Sequence, residues 1–340
     1  MRLRLGINGL GRIGRGFLRE SLREEDIDVV AVNDLAAPDL LAHLVCHDSL
    51  FGRSPVEVTA DPEALRAGGR TIRCTRVPRP SEIPWSEEAV DLVLESTGVH
   101  AERVAASGHL KAGAARVIIT SPSPDADLTV CFGVNHERYD PGRHRILSNA
   151  SCTTNAMAVV MAVAERTFGI ERAAMTTVHC YTNDQVLMDA PHRDRRRARA
   201  AGMSMIPTTT SAARAIVQVL PSLRGRVRAL AVRVPTAAVS LVDLTLILRR
   251  HATLEEARGA FRDAADGRMR GILGYTEEEL VSIDFLGDER SAVVDGALLA
   301  LDGGTVLKVL AWYDNERGYV RRLIDLVRYL ARREGAAGRS

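Results

Sequence analysis

The stretch Leu3-Arg4-Leu5-Gly6-Ile7-Asn8-Gly9-Leu10-Gly11-Arg12-Ile13-Gly14 decides the fold. A short apolar run over residues 3–8 ends in glycines at 9, 11 and 14, and a helical pattern follows through Leu22. Strand, glycine turn and helix in that order form the context in which G-x-G-x-x-G binds a dinucleotide. Gly9 turns tightly, Gly11 lets backbone approach a pyrophosphate, and Gly14 permits close helix packing while the helix N-terminus faces the phosphates. A second strand-like run, residues 29–33, delivers Asp34 twenty positions after Gly14, where an acid meets an adenosine ribose. A carboxylate there repels the extra phosphate of NADP, so the pattern points to NAD.

Working outward, strand-like runs recur at 92–95, 117–119, 129–132 and 145–147, with a helical segment over 101–110. Alternating strands and helices predict a doubly wound parallel sheet. Ser96, Thr97 and Gly98 fall just past a strand's carboxyl end, where ligands sit in such sheets and where plain turns also occur. After residue 150 the pattern changes. Runs at 174–178, 227–234, 239–248 and 305–312 lack regular intervening helices, and an amphipathic helix is expected over 254–265. The fold class is therefore α/β: a doubly wound parallel sheet plus an α+β domain with a mixed, largely antiparallel sheet.

The second half opens on Ser148-Asn149-Ala150-Ser151-Cys152-Thr153-Thr154-Asn155. The apolar run 156–164 reads as a buried helix stopped by Gly169, which sets Cys152 at or near a helix N-terminus. Partial positive charge there favours a thiolate, the form that attacks a carbonyl. The plainer alternatives are a small buried apolar cysteine and an ordinary helix cap. Cys46, Cys74, Cys131 and Cys180 are widely spaced and form no C-x-x-C pair, so neither a zinc site nor a disulfide framework is suggested. Reduced thiols, the lack of a secretory apolar region and the lack of a membrane-length apolar stretch together predict a cytoplasmic protein.

Composition agrees: 340 residues, 46% hydrophobic and 26% charged, suffice for two domains with ordinary globular cores. A net charge of +2 demands neither nucleic acid nor an anionic membrane as partner. Lysine occurs only at Lys111 and Lys308, so nearly every basic residue is arginine.

His179 follows the 174–178 run and leads into Cys180-Tyr181-Thr182-Asn183-Asp184; histidine is the usual base beside a thiol. Arg233 lies among apolar residues and, if buried, needs an anion, either a substrate phosphate or an internal carboxylate. The run Arg193-Asp194-Arg195-Arg196-Arg197-Ala198-Arg199 lacks interleaved aromatics and reads as a solvated or interface-facing loop rather than a nucleic-acid surface. Pro207-Thr208-Thr209-Thr210-Ser211 offers hydroxyls and N–H groups to an anion, or simply caps the Ala-rich helix that follows. Residues 314–319 precede a helical tail to Arg332, with fraying expected over 336–340.

Segments 6–15, 31–35, 95–98, 148–155, 176–184, 196–201, 206–210, 233–236 and 312–319 resemble, in order, those of the phosphorylating glyceraldehyde-3-phosphate dehydrogenase family. The resemblance implies a Rossmann domain over residues 1–150, completed by a C-terminal helix at 316–336, and a catalytic domain over 151–315. It implies that Cys152 is the nucleophile and His179 its base. Gly9, Gly11, Arg12, Ile13 and Asp34 match cofactor-contacting positions; Ser96 and Thr97 are added to this NAD site, and Asn315 matches the residue that orients the nicotinamide carboxamide. Leu35 and Pro191 resemble the NAD-preferring pattern. Thr182 and Arg233 match the site of the substrate's own phosphate. Ser151, Thr153, Arg199 and Thr210 match residues around attacking inorganic phosphate, with Ser211 beside them. The implied reaction is the glycolytic, NAD-dependent oxidation of glyceraldehyde 3-phosphate to 1,3-bisphosphoglycerate, through a Cys152 thioester cleaved by phosphate. A homotetramer is also implied, with no nucleic acid or membrane required.

Two departures stand out. Ser211 replaces the family's usual glycine, and Ala156 replaces its usual second cysteine. The second is mild, since that cysteine is not needed for the chemistry. Ser211 can crowd the phosphate or hydrogen-bond to it, which keeps open erythrose-4-phosphate dehydrogenase or another hydrolytic or arsenate-using aldehyde dehydrogenase of the family.

Overall fold

The structure, a computed structural model, describes residues 3–337, with side chains through Glu334. Contacts divide the chain into two compact units. One comprises the chain up to Val130, His136–Ala150 and the helix from Val320 onward; the other comprises Cys131–Asn135 and Ser151–Tyr319.

The first unit holds a nine-stranded sheet in the order Leu128–Thr129, Ile146–Ser148, Arg116–Ile119, Leu92–Glu95, Arg4–Asn8, Asp28–Asn33, Arg70–Thr75, Ala64–Ala67 and Val58–Asp61. All neighbours are parallel except the last two strands, which fold back antiparallel. The parallel strands are apolar runs rather than alternations because both faces are covered: every residue of Leu92–Glu95 is buried, as are all but the first of Asp28–Asn33. Strand order reverses at Arg4–Asn8, which pairs with Asp28–Asn33 on one side and Leu92–Glu95 on the other. Ligands of such sheets bind beyond the carboxyl ends of the strands at this switch point. Helix Arg12–Ser21 buries Gly14, Phe17, Leu18 and Ser21 along one face. The strand expected over 129–132 shortens to Leu128–Thr129, and Cys131–Asn135 joins the other unit. The helix expected over 101–110 runs Arg103–Lys111.

The second unit is built on an eight-stranded sheet in the order Ile206–Thr208, Val227–Val234, Ile170–Cys180, Ser240–Leu248, Val306–Tyr313, Ala292–Asp295 and Leu273–Thr276, with Ala300–Asp302 beside Val306–Tyr313. Most of its pairs are antiparallel, and Ser240–Leu248 and Val306–Tyr313 alternate buried and half-buried residues with period two. Two pairs are parallel, and one of them sets the site: Ile170–Cys180 runs beside Val227–Val234 with His179 opposite Arg233. Helix Cys152–Phe168 is buried almost all round, as its apolar sequence requires, and ends at Gly169, whose φ of +69° favours glycine. The strand expected over 174–178 is eleven residues long, and the helix expected over 254–265 is Leu254–Asp266, closed by a Thr253/Glu256 capping box. The last helix, Arg317–Ala337, continues past the point where fraying was expected, and residues 338–340 lie outside those described. No helix of the described residues is long and apolar enough to cross a membrane.

Candidate active site

At the switch point of the first unit, the glycines have separate local reasons. Gly9 has φ +92°, and a Cβ there would lie 2.8 Å from the Thr97 backbone nitrogen. A Cβ on Gly14 would collide with the Gly9 carbonyl oxygen and lie 2.9 Å from Ser96 Oγ. Gly11 is the N-cap of helix Arg12–Ser21; no side chain caps the helix, and nothing lies within 4 Å of where its Cβ would be. A helix N-terminus of this kind is where backbone N–H groups meet an anion. Ser96 Oγ donates to the Gly9 carbonyl at 2.7 Å, and the Thr97 amide donates to Glu95 Oε1 at 2.9 Å. The Asp34 carboxylate accepts from the Leu10 and Ala36 amides at 2.8 and 2.9 Å, which fixes it against the turn. Arg12 pairs with Asp48 at 2.9 Å, Ile13 lies in the first helical turn, and Leu35 is 62% exposed with its carbonyl held by Arg76.

In the second unit, Cys152 is the first residue of its helix. Ser151 is the N-cap, its Oγ accepting from the Thr154 amide at 3.0 Å. Cys152 Sγ lies 3.5 Å from His179 Nε2. The other ring nitrogen, Nδ1, lies 2.7 Å from the Cys180 carbonyl oxygen and 2.6 Å from Arg233 Nη1. These two neighbours ask for opposite tautomers. A proton on Nδ1 donates to Cys180 O and leaves Nε2 as acceptor for the thiol; an Arg233 donation to Nδ1 puts the ring proton on Nε2.

The expectation of a standing thiolate is corrected here. Burial raises the Cys152 pKa above that of an ordinary thiol, even though Arg233 and the Thr153 amide oppose it. Burial, followed by the Arg233 charge, pushes His179 down to about 3. Both shifts favour a neutral thiol beside a neutral imidazole, with burial the largest cause for each.

Around this pair, Tyr313 OH lies 2.9 Å from both Thr153 Oγ1 and Thr177 Oγ1, tying the helix start to the His179 strand. Cys180 Sγ donates to Asn315 Oδ1 at 3.1 Å, which holds the Asn315 amide in one orientation. Thr182 starts the following turn, its amide donating to Gln185 Oε1 at 3.1 Å. Arg233 Nε is buried and has no hydrogen-bond partner among the described residues. Thr210 Oγ1 accepts from the Ala212 amide at 3.2 Å, and Ser211 is the N-cap of Ala212–Val219 without a side-chain cap bond.

The arginine-rich loop sorts itself in a way the sequence did not show. Arg199 pairs with Asp189 at 2.9 Å on an exposed stretch, whereas Arg196 donates to Pro207 O and Arg197 donates to Thr208 Oγ1 and Thr209 O. Arg196 and Arg197, not Arg199, therefore reach the threonine segment. Spacing could not tell these arginines apart; only the acidic residues at 184, 189 and 194 hinted that some would be engaged internally.

Residues 151–315 match the model for the glyceraldehyde 3-phosphate dehydrogenase C-terminal domain, and residues 3–103 match that for the family's NAD binding domain. The chain is 50% identical over 327 residues to glyceraldehyde-3-phosphate dehydrogenase 1 of Streptomyces avermitilis, covering 96% of this chain and 98% of that one. It is 48% identical over 331 residues to glyceraldehyde-3-phosphate dehydrogenase of Geobacillus stearothermophilus, covering 97% and 99%. It is 46% identical over 331 residues to the protein of that name in Priestia megaterium, with the same coverage. On both its domains, and over nearly its whole length, the chain belongs to the glyceraldehyde 3-phosphate dehydrogenase family.

Proposed function

We propose that this chain oxidises glyceraldehyde 3-phosphate to 1,3-bisphosphoglycerate, using NAD and inorganic phosphate. The observation that carries the reading is the Cys152 thiol at a helix start, 3.5 Å from His179 Nε2, with Arg233 in register beside that histidine. The first unit fits NAD: a bare helix N-terminus at Gly11, glycines where Cβ atoms would block the turn, and Asp34 fixed against it. Gly9, Gly11, Arg12, Ile13, Asp34, Leu35, Ser96 and Thr97 would hold the cofactor, with Asn315 orienting its carboxamide. NAD, when bound, supplies the hydride acceptor.

The protein's own groups then act as follows. The Cys152 sulfur bonds to the aldehyde carbon, and His179 relays the thiol proton to the carbonyl oxygen, giving a hemithioacetal. His179 Nε2 takes the hydroxyl proton as the carbon loses hydride, leaving a thioester. An oxygen of inorganic phosphate attacks that carbon, the C–S bond breaks, and the sulfur recovers its proton from His179. Thr182 and Arg233 hold the substrate's own phosphate, and the orphaned Arg233 Nε supports this, since a buried guanidinium N–H lacks an acceptor until an anion supplies one. Ser151, Thr153, Thr210 and Ser211, with Arg199 from the arginine-rich loop, bind the attacking phosphate.

We also infer a homotetramer working in the cytoplasm. Leu187, Met188, Met203 and Met205 are each at least two-thirds exposed on one loop, an apolar surface suited to a second copy. All five cysteines are free. The test is NADH formation from glyceraldehyde 3-phosphate and NAD, with and without phosphate. Phosphate-dependent turnover is expected. Turnover indifferent to phosphate would overturn the phosphorylating reading and implicate Ser211. Light scattering at working concentration should give a tetramer mass.

A further inference from the structure

Beneath the dinucleotide turn lies a buried polar chain that the mechanism above does not use. Trp85 Nε1 donates to His109 Nδ1 at 2.9 Å. An indole N–H can only donate, so the His109 proton sits on Nε2. That nitrogen lies 2.9 Å from Glu95 Oε2, which also accepts from Asn8 Nδ2 at 2.6 Å. The other carboxylate oxygen, Oε1, accepts from both the backbone amide and the hydroxyl of Thr97. Asn8 Oδ1 in turn accepts from Asn33 Nδ2 at 2.7 Å. Trp85, His109, Glu95, Asn8 and Asn33 are all 3% exposed or less.

Three of these residues end the three strands at the switch point. Asn8 is in register with Asn33 on one side and Glu95 on the other. The chain therefore ties the carboxyl ends of the strands together where the cofactor turn begins. Thr97 is the outlet: its backbone nitrogen is the atom a Gly9 Cβ would strike, and Ser96 beside it donates to Gly9 O. With Oε1 and Oε2 each receiving two donors, the carboxylate can turn neither way. Burial alone would raise the Glu95 pKa, but bonds from His109, Thr97 and Asn8 overcome it and hold the carboxyl below its usual range. A fold that needed only packing here would use apolar residues, since an incompletely paired buried carboxylate is strongly destabilising.

We propose that Glu95, oriented by His109 and Trp85, is a positioning residue that fixes Thr97 against the Gly9 turn and so sets cofactor affinity. The inference rests on the reading of this turn as the NAD site. Glu95→Gln keeps the shape but turns an amide N–H toward the donors of Asn8 and His109. His109→Leu removes the donor to Glu95. His109→Gln is the conservative control, since its amide can accept from Trp85 and donate to Glu95.

Isothermal titration of NAD into each purified full-length protein gives Kd, circular dichroism gives Tm, and steady-state assays give KM for the aldehyde. Glu95→Gln and His109→Leu should weaken NAD by about tenfold with the aldehyde KM within about twofold of wild type, and His109→Gln should restore NAD affinity to within about twofold. Wild-type NAD affinity in either disrupted variant that folds, whatever its Tm, would overturn the proposal. Equal weakening in His109→Gln and His109→Leu would also overturn it. If Glu95→Gln fails to fold, the His109 pair decides. A wild-type protein that does not bind NAD would instead remove the cofactor reading on which this inference stands.

Discussion

Arg233→Leu separates the contact with His179 that the structure gives this guanidinium from the phosphate role proposed for it. In the resting site, Arg233 Nη1 sits 2.6 Å from His179 Nδ1, and its charge is the second cause, after burial, of the depressed histidine pKa. In the proposed complex it binds the substrate's phosphate. One or two charge-assisted hydrogen bonds at about 1.5–3 kcal/mol each, compounded, put the loss in kcat/KM for glyceraldehyde 3-phosphate at roughly 10²–10⁴-fold for two. Unphosphorylated glyceraldehyde makes no such bonds. For it, the substitution removes only a positive charge that, after burial, disfavours protonation of His179, so turnover should hold or rise. The assay is initial-rate NADH formation with each aldehyde at matched NAD and phosphate. Opposite responses are expected. A loss as large for glyceraldehyde as for its phosphate would refute the reasoning, because Arg233 would then be supporting the fold of the site rather than reading the phosphate.

Cys152→Ser should abolish turnover while NAD Kd, measured by titration, stays at the wild-type value; residual activity would remove the nucleophile assignment. Gly14→Ala places a methyl against the Gly9 carbonyl and 2.9 Å from Ser96 Oγ, and should lower stability by about 1–3 kcal/mol and weaken NAD; urea unfolding and titration check both. His179 gives a pH signature. Its folded pKa of about 3 lies below the ordinary 6.5, so the unfolded chain takes up a proton first as pH falls, and stability present above about 6.5 is lost down to about 3. The slope from this one group is up to about 1.4 kcal/mol per pH unit. His179→Gln should flatten the pH dependence of the unfolding free energy from urea titration by that amount between pH 4 and 6, and an unchanged slope would count against the depressed value.

The dinucleotide turn was legible because its causes are local. A positive φ at Gly9 and a backbone collision at Gly14 demand glycine, whichever sheet they serve. Strands in the second unit were legible from alternation, except where charge interrupts it: Glu171 and Arg172 hid the first residues of Ile170–Cys180. The Glu95 chain was not legible. From Trp85 through His109, Glu95 and Asn8 to Asn33, its successive bonded pairs are 14 to 87 residues apart, and only the parallel register brings Asn8, Asn33 and Glu95 side by side. The fate of each loop arginine was hidden for a related reason. Arg196, Arg197 and Arg199 have the same chemistry, and their partners depend on how the loop folds back onto residues 207–209.

Cys152 shows the same division within one residue. Sequence places it at a helix start, and from that position a thiolate follows by electrostatics alone. What sequence does not carry is the desolvation of the sulfur by its surroundings, the first cause of its raised pKa. Activating the thiol then calls for His179 to accept its proton. The only charge within hydrogen-bond reach of that ring among the described residues is Arg233, which is also the group proposed to bind the substrate's phosphate. Withdrawing the guanidinium toward that phosphate would free Nδ1 to donate to Cys180 O, leave Nε2 open to the thiol and raise the histidine pKa together. A phosphorylated aldehyde would then switch on the base that activates the nucleophile it meets, whereas an aldehyde without phosphate would find the pair neutral and slow.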